Sequence, residues 1–126
     1  QNMVNAACEQ CGRNVLPRVL PILDLPAWLG STASVRPFPG PDSDPKDTPP
    51  LRVMLSPRAE HNLAVLPKPS GWVQLAVGPE GGFSAQEETA LLQCGFIPAR
   101  LGPRVLRTET AGLAAIAGMQ TLWGDF

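Results

Sequence analysis

The chain has 126 residues, 44% hydrophobic and 17% charged, with a formal net charge of -1. That suffices for one globular domain with a real core and excludes a disordered or fibrous chain. It also excludes the strongly basic class that grips RNA through bulk charge, so any such affinity must come from local arginine clusters, another domain or a second subunit. The apolar runs are broken by proline and too short to span a membrane, and no signal-peptide pattern opens the chain. Three cysteines, Cys8, Cys11 and Cys94, make no disulfide framework and fit a reducing cytosol.

Residues 1–11 place Met3, Val4, Ala7, Cys8 and Cys11 three and four apart, as on one core-facing helical face, and Gly12 follows as a C-terminal cap. Gln1 is no initiator and no capping residue precedes this helix, so the chain reads as a fragment beginning inside a longer protein. Val15 to Leu20 is extended, and Asp24 caps a short helix from Leu25 to Leu29 with Pro26 in its first turn. Residues 36–50 hold six prolines, Gly40 and three aspartates, which predicts an exposed loop inserted within one α/β unit.

The remainder is regular. Leu51 to Leu55 is a strand, Pro57-Arg58-Ala59 opens a turn or short helix to Leu66, and Trp72 to Val77 is a strand apolar enough for burial on both faces. Gly78 to Phe83 is a loop, and Ser84-Ala85-Gln86-Glu87 has capping-box spacing for a helix to Cys94, ended by Gly95. Phe96 to Leu101 is a strand, Gly102 to Arg107 a loop, and Thr108 is expected to cap a last helix running to about Trp123. Ala111, Gly112, Ala114, Ala115, Ala117 and Gly118 leave that helix no broad polar face, so it is expected to be enclosed.

Twice in succession, then, a strand ends in a Gly-Pro pair and leads towards a helix. Ligands of open parallel sheets bind outside the carboxyl ends of the strands, so two such loops suggest a shared crevice. Phosphate is a poor occupant: no Lys-Ser/Thr follows Gly78 to Gly82, Glu80 would repel it, and the spacing is not a dinucleotide fingerprint. A ligand with ribose hydroxyls and positive charge fits better. Backbone groups freed by Gly78, Gly81 and Gly82 can bond a ribose and an amino-acid tail, while those around Leu101 and Leu106 can read an adenine edge. Glu80 and Glu109 can balance a sulfonium or ammonium, and S-adenosyl-L-methionine has all these parts. On glycine content alone, two tight strand–helix turns without a ligand explain the same residues equally well.

The wording around the glycines is more specific. Val77-Gly78-Pro79-Glu80-Gly81-Gly82-Phe83-Ser84, followed by Glu87 or Glu88, resembles the central motif of the RsmE family of 16S rRNA uridine-N3 methyltransferases. Leu101-Gly102-Pro103-Arg104-Val105-Leu106-Arg107-Thr108-Glu109-Thr110-Ala111 resembles its C-terminal motif, and Ala7-Cys8-Glu9-Gln10-Cys11-Gly12-Arg13-Asn14 its upstream one. Gly124-Asp125-Phe126 sits where that family ends. The resemblance implies an α/β SPOUT-class domain, a parallel sheet flanked by helices with its C-terminal segment threaded into a trefoil knot. It also implies a cytoplasmic homodimer acting on 16S rRNA of the small ribosomal subunit, with neither metal nor membrane, and S-adenosyl-L-methionine bent into the knotted loops. Carried onto this sequence, the cofactor-binding set is Leu55, Val77, Gly78, Pro79, Glu80, Gly81, Gly82, Leu101, Gly102, Val105, Leu106 and Thr110. Family members also carry an N-terminal PUA-like β-barrel and a first strand–helix portion of the SPOUT domain. Residues 1–126 therefore read as the rest of one SPOUT domain, with a Pro-rich loop longer than the family requires.

Methylating uracil N3 removes its proton and leaves negative charge on the flanking carbonyl oxygens. Arg107 is the candidate donor to that charge, since a guanidinium fork suits it better than a lysine, and Glu109 the candidate to set Arg107 or accept the proton. A structural bond from Arg107 to loop carbonyls, and a helix-dipole role for Glu109, are the plainer alternatives. Arg13, Arg58 and Arg104 leave predicted loops and are candidates for RNA phosphates, with solvated surface positions as the alternative. Cys8-x-x-Cys11 with His61 and Cys94 has the letters of a zinc site, but a helical pair without a second pair at ligand spacing reads as core instead. Two other functions use the same loops: a noncatalytic nucleotide- or RNA-binding module, and a SPOUT enzyme acting on tRNA or a ribose hydroxyl.

Overall fold

The computed structural model describes residues 1–32 and 49–124. Within them β1 (Leu51–Leu55), β2 (Val73–Ala76) and β3 (Ile97–Ala99) form one parallel sheet in the order β2-β1-β3. Leu51 pairs with Val73 along one edge of β1, and Leu55 with Ala99 along the other. Around the sheet lie α1 (Asn2–Cys11), α2 (Leu25–Thr32), α3 (Ala85–Gln93), α4 (Thr108–Trp123) and a single 3-10 turn, Leu63–Val65. The expected α/β class with a parallel sheet flanked by helices is observed.

The two-residue side-chain period of β1 divides the core. Met54 points to one face and joins Leu29, Ala76, Leu91 and Phe96, so α2 and α3 cover that side. Val53 points to the other and joins Leu63, Ala99 and Met119, so the 3-10 turn and α4 cover that one. Val53, Leu91 and Phe96 are sealed from water, and each such burial stabilises the layers by about 1.5–3 kcal/mol. The edge strand β2 is covered on both faces but unevenly: Gln74 and Ala76 are buried, Val73 and Leu75 half-buried. Helix α2 packs on α3. Of the Pro-rich stretch, residues 36–48 lie outside the described residues, as do Asp125 and Phe126.

One polar device sits inside this packing. Arg52 of β1 donates from Nε to Gln74 Oε1 on β2 (2.8 Å) and from Nη1 to the Cys94 carbonyl at the end of α3 (2.6 Å). Its guanidinium also lies 6.0 Å from the Phe96 ring centroid. A cation on the last carbonyls of α3 matches the helix dipole, and the same side chain satisfies buried Gln74. Nothing in the strand's sequence pattern marked this residue.

The local signals hold where one or two residues decide the geometry. Gly12 caps α1 at φ 72, with Arg13 N donating to Cys8 O (2.9 Å). Asp24 Oδ1 accepts from Ala27 N (2.8 Å) at the start of α2, which runs to Thr32 rather than the expected Leu29. Ser84 and Glu87 form a complete capping box at α3. Two expectations needed more than local signals and are corrected. The row on α1 is not a continuous core face: Cys8 is buried and Val4 half-buried, but Ala7 and Cys11 are exposed and Met3 is 86% exposed. Helix α4 is not enclosed either. Ala115 and Met119 are buried against the sheet, while Leu113 and Ile116, which the sheet does not reach, are 73% and 54% exposed.

The capping box carries a pH dependence. Ser84 N donates to Glu87 Oε2 (2.7 Å), and this backbone hydrogen bond, with a smaller share from the nearby Ser84 hydroxyl, holds the Glu87 carboxyl below the usual glutamate value. A depressed folded-state pKa adds stability above the unfolded value, and that share is lost as pH falls through the folded one. Urea midpoints measured near pH 6 and near pH 3 should therefore fall more for the wild type than for Glu87→Gln. Equal falls would remove the capping carboxylate from the acid response.

Candidate functional site

A parallel sheet brings the carboxyl ends of all its strands to one edge, and the site lies there. A cavity of about 500 Å³ opens at that edge, within the range of small-ligand pockets. Three segments wall it: Leu55 to Pro57 after β1, Val77 to Gly82 after β2, and Ala99 into the first turn of α4. Both glycine loops thus face one space, as two adjacent strand-end loops predict.

Each loop is shaped by identifiable residues. In the first, Gly82 N donates to Pro79 O (2.8 Å), closing a tight turn in which Gly82 has φ 76, a conformation that side chains disfavour. Gly78 is needed for another reason: a Cβ there would stand 3.2 Å from the ring and the backbone nitrogen of Phe83, whose ring packs on the core. The second loop leads into α4, whose N-cap position is Arg107 with no side-chain cap.

Thr108, expected to cap α4, does something else. Its hydroxyl Oγ1 donates to the Gly78 carbonyl (3.1 Å), thirty positions away in sequence. It is the first residue inside the helix, where its hydroxyl is free to leave the local backbone for a tertiary acceptor. The result ties the two loops across one wall of the cavity. Gly112 lies against Val77 on the same side, 3.8 Å from where a Cβ would stand to Val77 Cγ2, so a small residue keeps α4 close to the end of β2.

The sequence-predicted residues divide cleanly. Leu55, Val77, Gly78, Pro79, Glu80 and Gly82 line the cavity from the first two walls, and Leu101, Gly102, Val105 and Leu106 line it from the third. Arg104 and Arg107 line it too. Gly81, Thr110, Glu109, Arg13 and Arg58 are not among its lining residues. Arg13 instead donates from Nε to Val15 O (2.9 Å) in its own turn, and Glu109 lies exposed in the first turn of α4. Arg100, Ser56, Pro57, Thr108 and Ala111 line the cavity without having been singled out. Their signal was available in part: Ser56 sits immediately beyond a predicted strand, whereas Arg100 fell inside the predicted strand Phe96 to Leu101 and reaches the cavity because β3 ends at Ala99. Among the described residues no cluster of three His, Cys, Asp or Glu side chains could hold a metal ion, and no helix is long and apolar enough to cross a membrane.

Comparison with known proteins finds a family model described as an RNA methyltransferase domain, matching residues 1–120. A ribosomal RNA small subunit methyltransferase E of Buchnera aphidicola (from Schizaphis graminum) is 40% identical over 126 residues, spanning 99% of this chain and 45% of its own. Its counterpart from the Acyrthosiphon pisum symbiont is 34% identical over 121 residues, 96% of this chain and 42% of its own. The crystal structure of a ribosomal RNA small subunit methyltransferase E from Neisseria gonorrhoeae bound to S-adenosyl methionine is 42% identical. It superposes with a TM-score of 0.81 over 100% of this chain and 47% of that one. The chain thus spans less than half the length of the relatives it matches.

The Thr108 bond can be tested without any ligand. Thr108→Val keeps the side-chain shape, removes one neutral hydrogen bond and should cost about 1 kcal/mol. Hydrogen exchange should speed up at the Gly82 amide and its loop while α3 amides keep their protection. Unchanged exchange in the loop would show that the two loops hold their positions independently.

Proposed function

The chain belongs to the RNA methyltransferase domain family, and from that membership we propose that it methylates ribosomal RNA using S-adenosyl-L-methionine held in the strand-end cavity. The single observation carrying this reading is the convergence of both glycine loops on one cavity of about 500 Å³, tied by Thr108. The donor set suits that cofactor. The Gly78–Gly82 turn offers main-chain groups to hydroxyls and an amino-acid tail, Leu101 and Leu106 offer apolar surface to an adenine, and Glu80 offers a carboxylate to positive charge. Leu55, Val77, Pro79, Gly102 and Val105 complete the walls, with Gly81 and Thr110 placed in the flanking backbone.

When bound, S-adenosyl-L-methionine supplies an electrophilic methyl group on its sulfonium. The chain's own contribution is position and charge, because displacement at carbon needs the nucleophile in line. Arg107, at the N-cap of α4 and on the cavity wall, donates to the uracil carbonyl oxygens as N3 loses its proton. Glu109, two residues on, orients Arg107 or accepts the N3 proton. Arg104 at the cavity, with Arg13 and Arg58 further out, takes RNA phosphates. The substrate atom is N3 of one uridine in 16S rRNA, and the enzyme works in the cytoplasm.

The finer architecture follows the same reading. The C-terminal segment is threaded as the trefoil knot of the SPOUT class, residues 1–126 forming part of one such domain. Two chains pair through α4, and the exposed Leu113 and Ile116, one turn apart, are the apolar surface that supports pairing.

In the full-length protein, Arg107→Ala should lower kcat about 10²-fold, the scale of losing one donor to a developing oxyanion, while cofactor affinity holds. Base-level mapping of rRNA from a deletion strain should reveal one unmodified uridine N3, restored by the wild type and not by Arg107→Ala. An intact 16S pattern, with the missing methyl on tRNA or a ribose hydroxyl, would overturn the substrate. Normal turnover of Arg107→Ala would overturn the role of Arg107.

A further inference from the structure

Between Thr89 and Thr108 the chain carries Arg100, Arg104 and Arg107 and no acidic residue, although its net charge is -1. All three arginines are exposed and all three line the cavity, where Glu80 is the one carboxylate. This imbalance is not what the cofactor of the proposed reaction asks for, since that molecule carries a sulfonium and an ammonium against a single carboxylate. Even with one guanidinium on the cofactor's carboxylate and Glu80 set against its positive charge, two guanidiniums at the cavity wall are left without a carboxylate among the lining residues. The excess positive charge fits an anion that approaches from outside.

Arg100 is the most firmly placed of the three. Its backbone forms a parallel bridge with Asn62 beyond the end of β3: Arg100 N donates to His61 O (2.9 Å) and Leu63 N donates to Arg100 O (2.9 Å). Asn62 is itself fixed, its Oδ1 accepting from Ala64 N (3.0 Å) at the start of the 3-10 turn. The main chain of Arg100 is therefore anchored on both sides while its long side chain stays in water at the cavity wall. That is a phosphate-contacting arrangement: a fixed root and a free fork.

We infer that Arg100 binds a backbone phosphate of the RNA beside the target nucleotide, holding the substrate strand over the cavity mouth. This rests on the RNA methyltransferase reading and adds to it a residue that no motif assigned. The test titrates the full-length protein, saturated with S-adenosyl-L-methionine, with a 16S rRNA fragment over a salt series. Arg100→Gln should reduce the slope of log affinity against log salt by about 0.7–0.9, one phosphate's share of released counterions. Arg100→Lys should retain the wild-type slope. Lys68→Gln, which removes the same charge from an exposed position outside the cavity, should retain it as well. An unchanged slope for Arg100→Gln, or an equal loss for Lys68→Gln, overturns the assignment. A wild type that neither binds nor methylates the fragment overturns the underlying function too, whereas a wild type that does both isolates the failure to Arg100.

Discussion

The structure depends on the parallel pairing of β1 with both neighbours. Because Leu51 meets Val73 and Leu55 meets Ala99 in parallel, all three strands run to the same edge. A parallel sheet cannot be joined by tight hairpins, so each crossover must carry structure of its own across a face. Here the crossovers are the 3-10 turn between β1 and β2 and α3 between β2 and β3. With α2 and α4, which lie before β1 and after β3, they supply the covering layers, and the strand ends supply the cavity. Val53 and Met54, adjacent in sequence and buried on opposite faces, are where these two consequences meet.

From that pairing the site's chemistry follows in steps. The loop after β2 must turn sharply beside a core ring, which places Gly78 against Phe83 and Gly82 at positive φ. Such a loop presents more main chain than side chain to the cavity. The segment after β3 brings the guanidiniums, and Thr108 then fixes one loop to the other through the Gly78 carbonyl. A main-chain wall facing a cationic wall suits a small ligand with many hydroxyls beside a polyanion. It suits a free phosphate less well, given Glu80 among the glycines.

Much of this was legible in the sequence. Where a single residue dictates backbone geometry, as with Gly12, Asp24 and the Ser84–Glu87 box, the elements begin or end as read. The strand-end loops were legible because Gly-Pro pairs follow apolar runs. What escaped were decisions made by partners distant in sequence. A threonine at a helix start reads as a cap, and only the folded chain supplies the Gly78 carbonyl that draws Thr108 away. Arg52 looks like a surface residue in a five-residue strand until α3 ends above it with an open carbonyl. Arg100 reads as one of many arginines until Asn62 pins its backbone beside the cavity. The exposed faces of α1 and α4 belong to the same class, since apolar periodicity says that a face will be covered and not by what.

The central claim is that the strand-end cavity is a cofactor pocket, and calorimetric titration of S-adenosyl-L-methionine into the folded chain tests it most directly. The account predicts saturable binding at one site per chain, weakened when Gly82 is replaced by valine, whose side chain disfavours the turn's positive φ. A folded chain that takes up no S-adenosyl-L-methionine, or that binds it equally well after Gly82→Val, would contradict it.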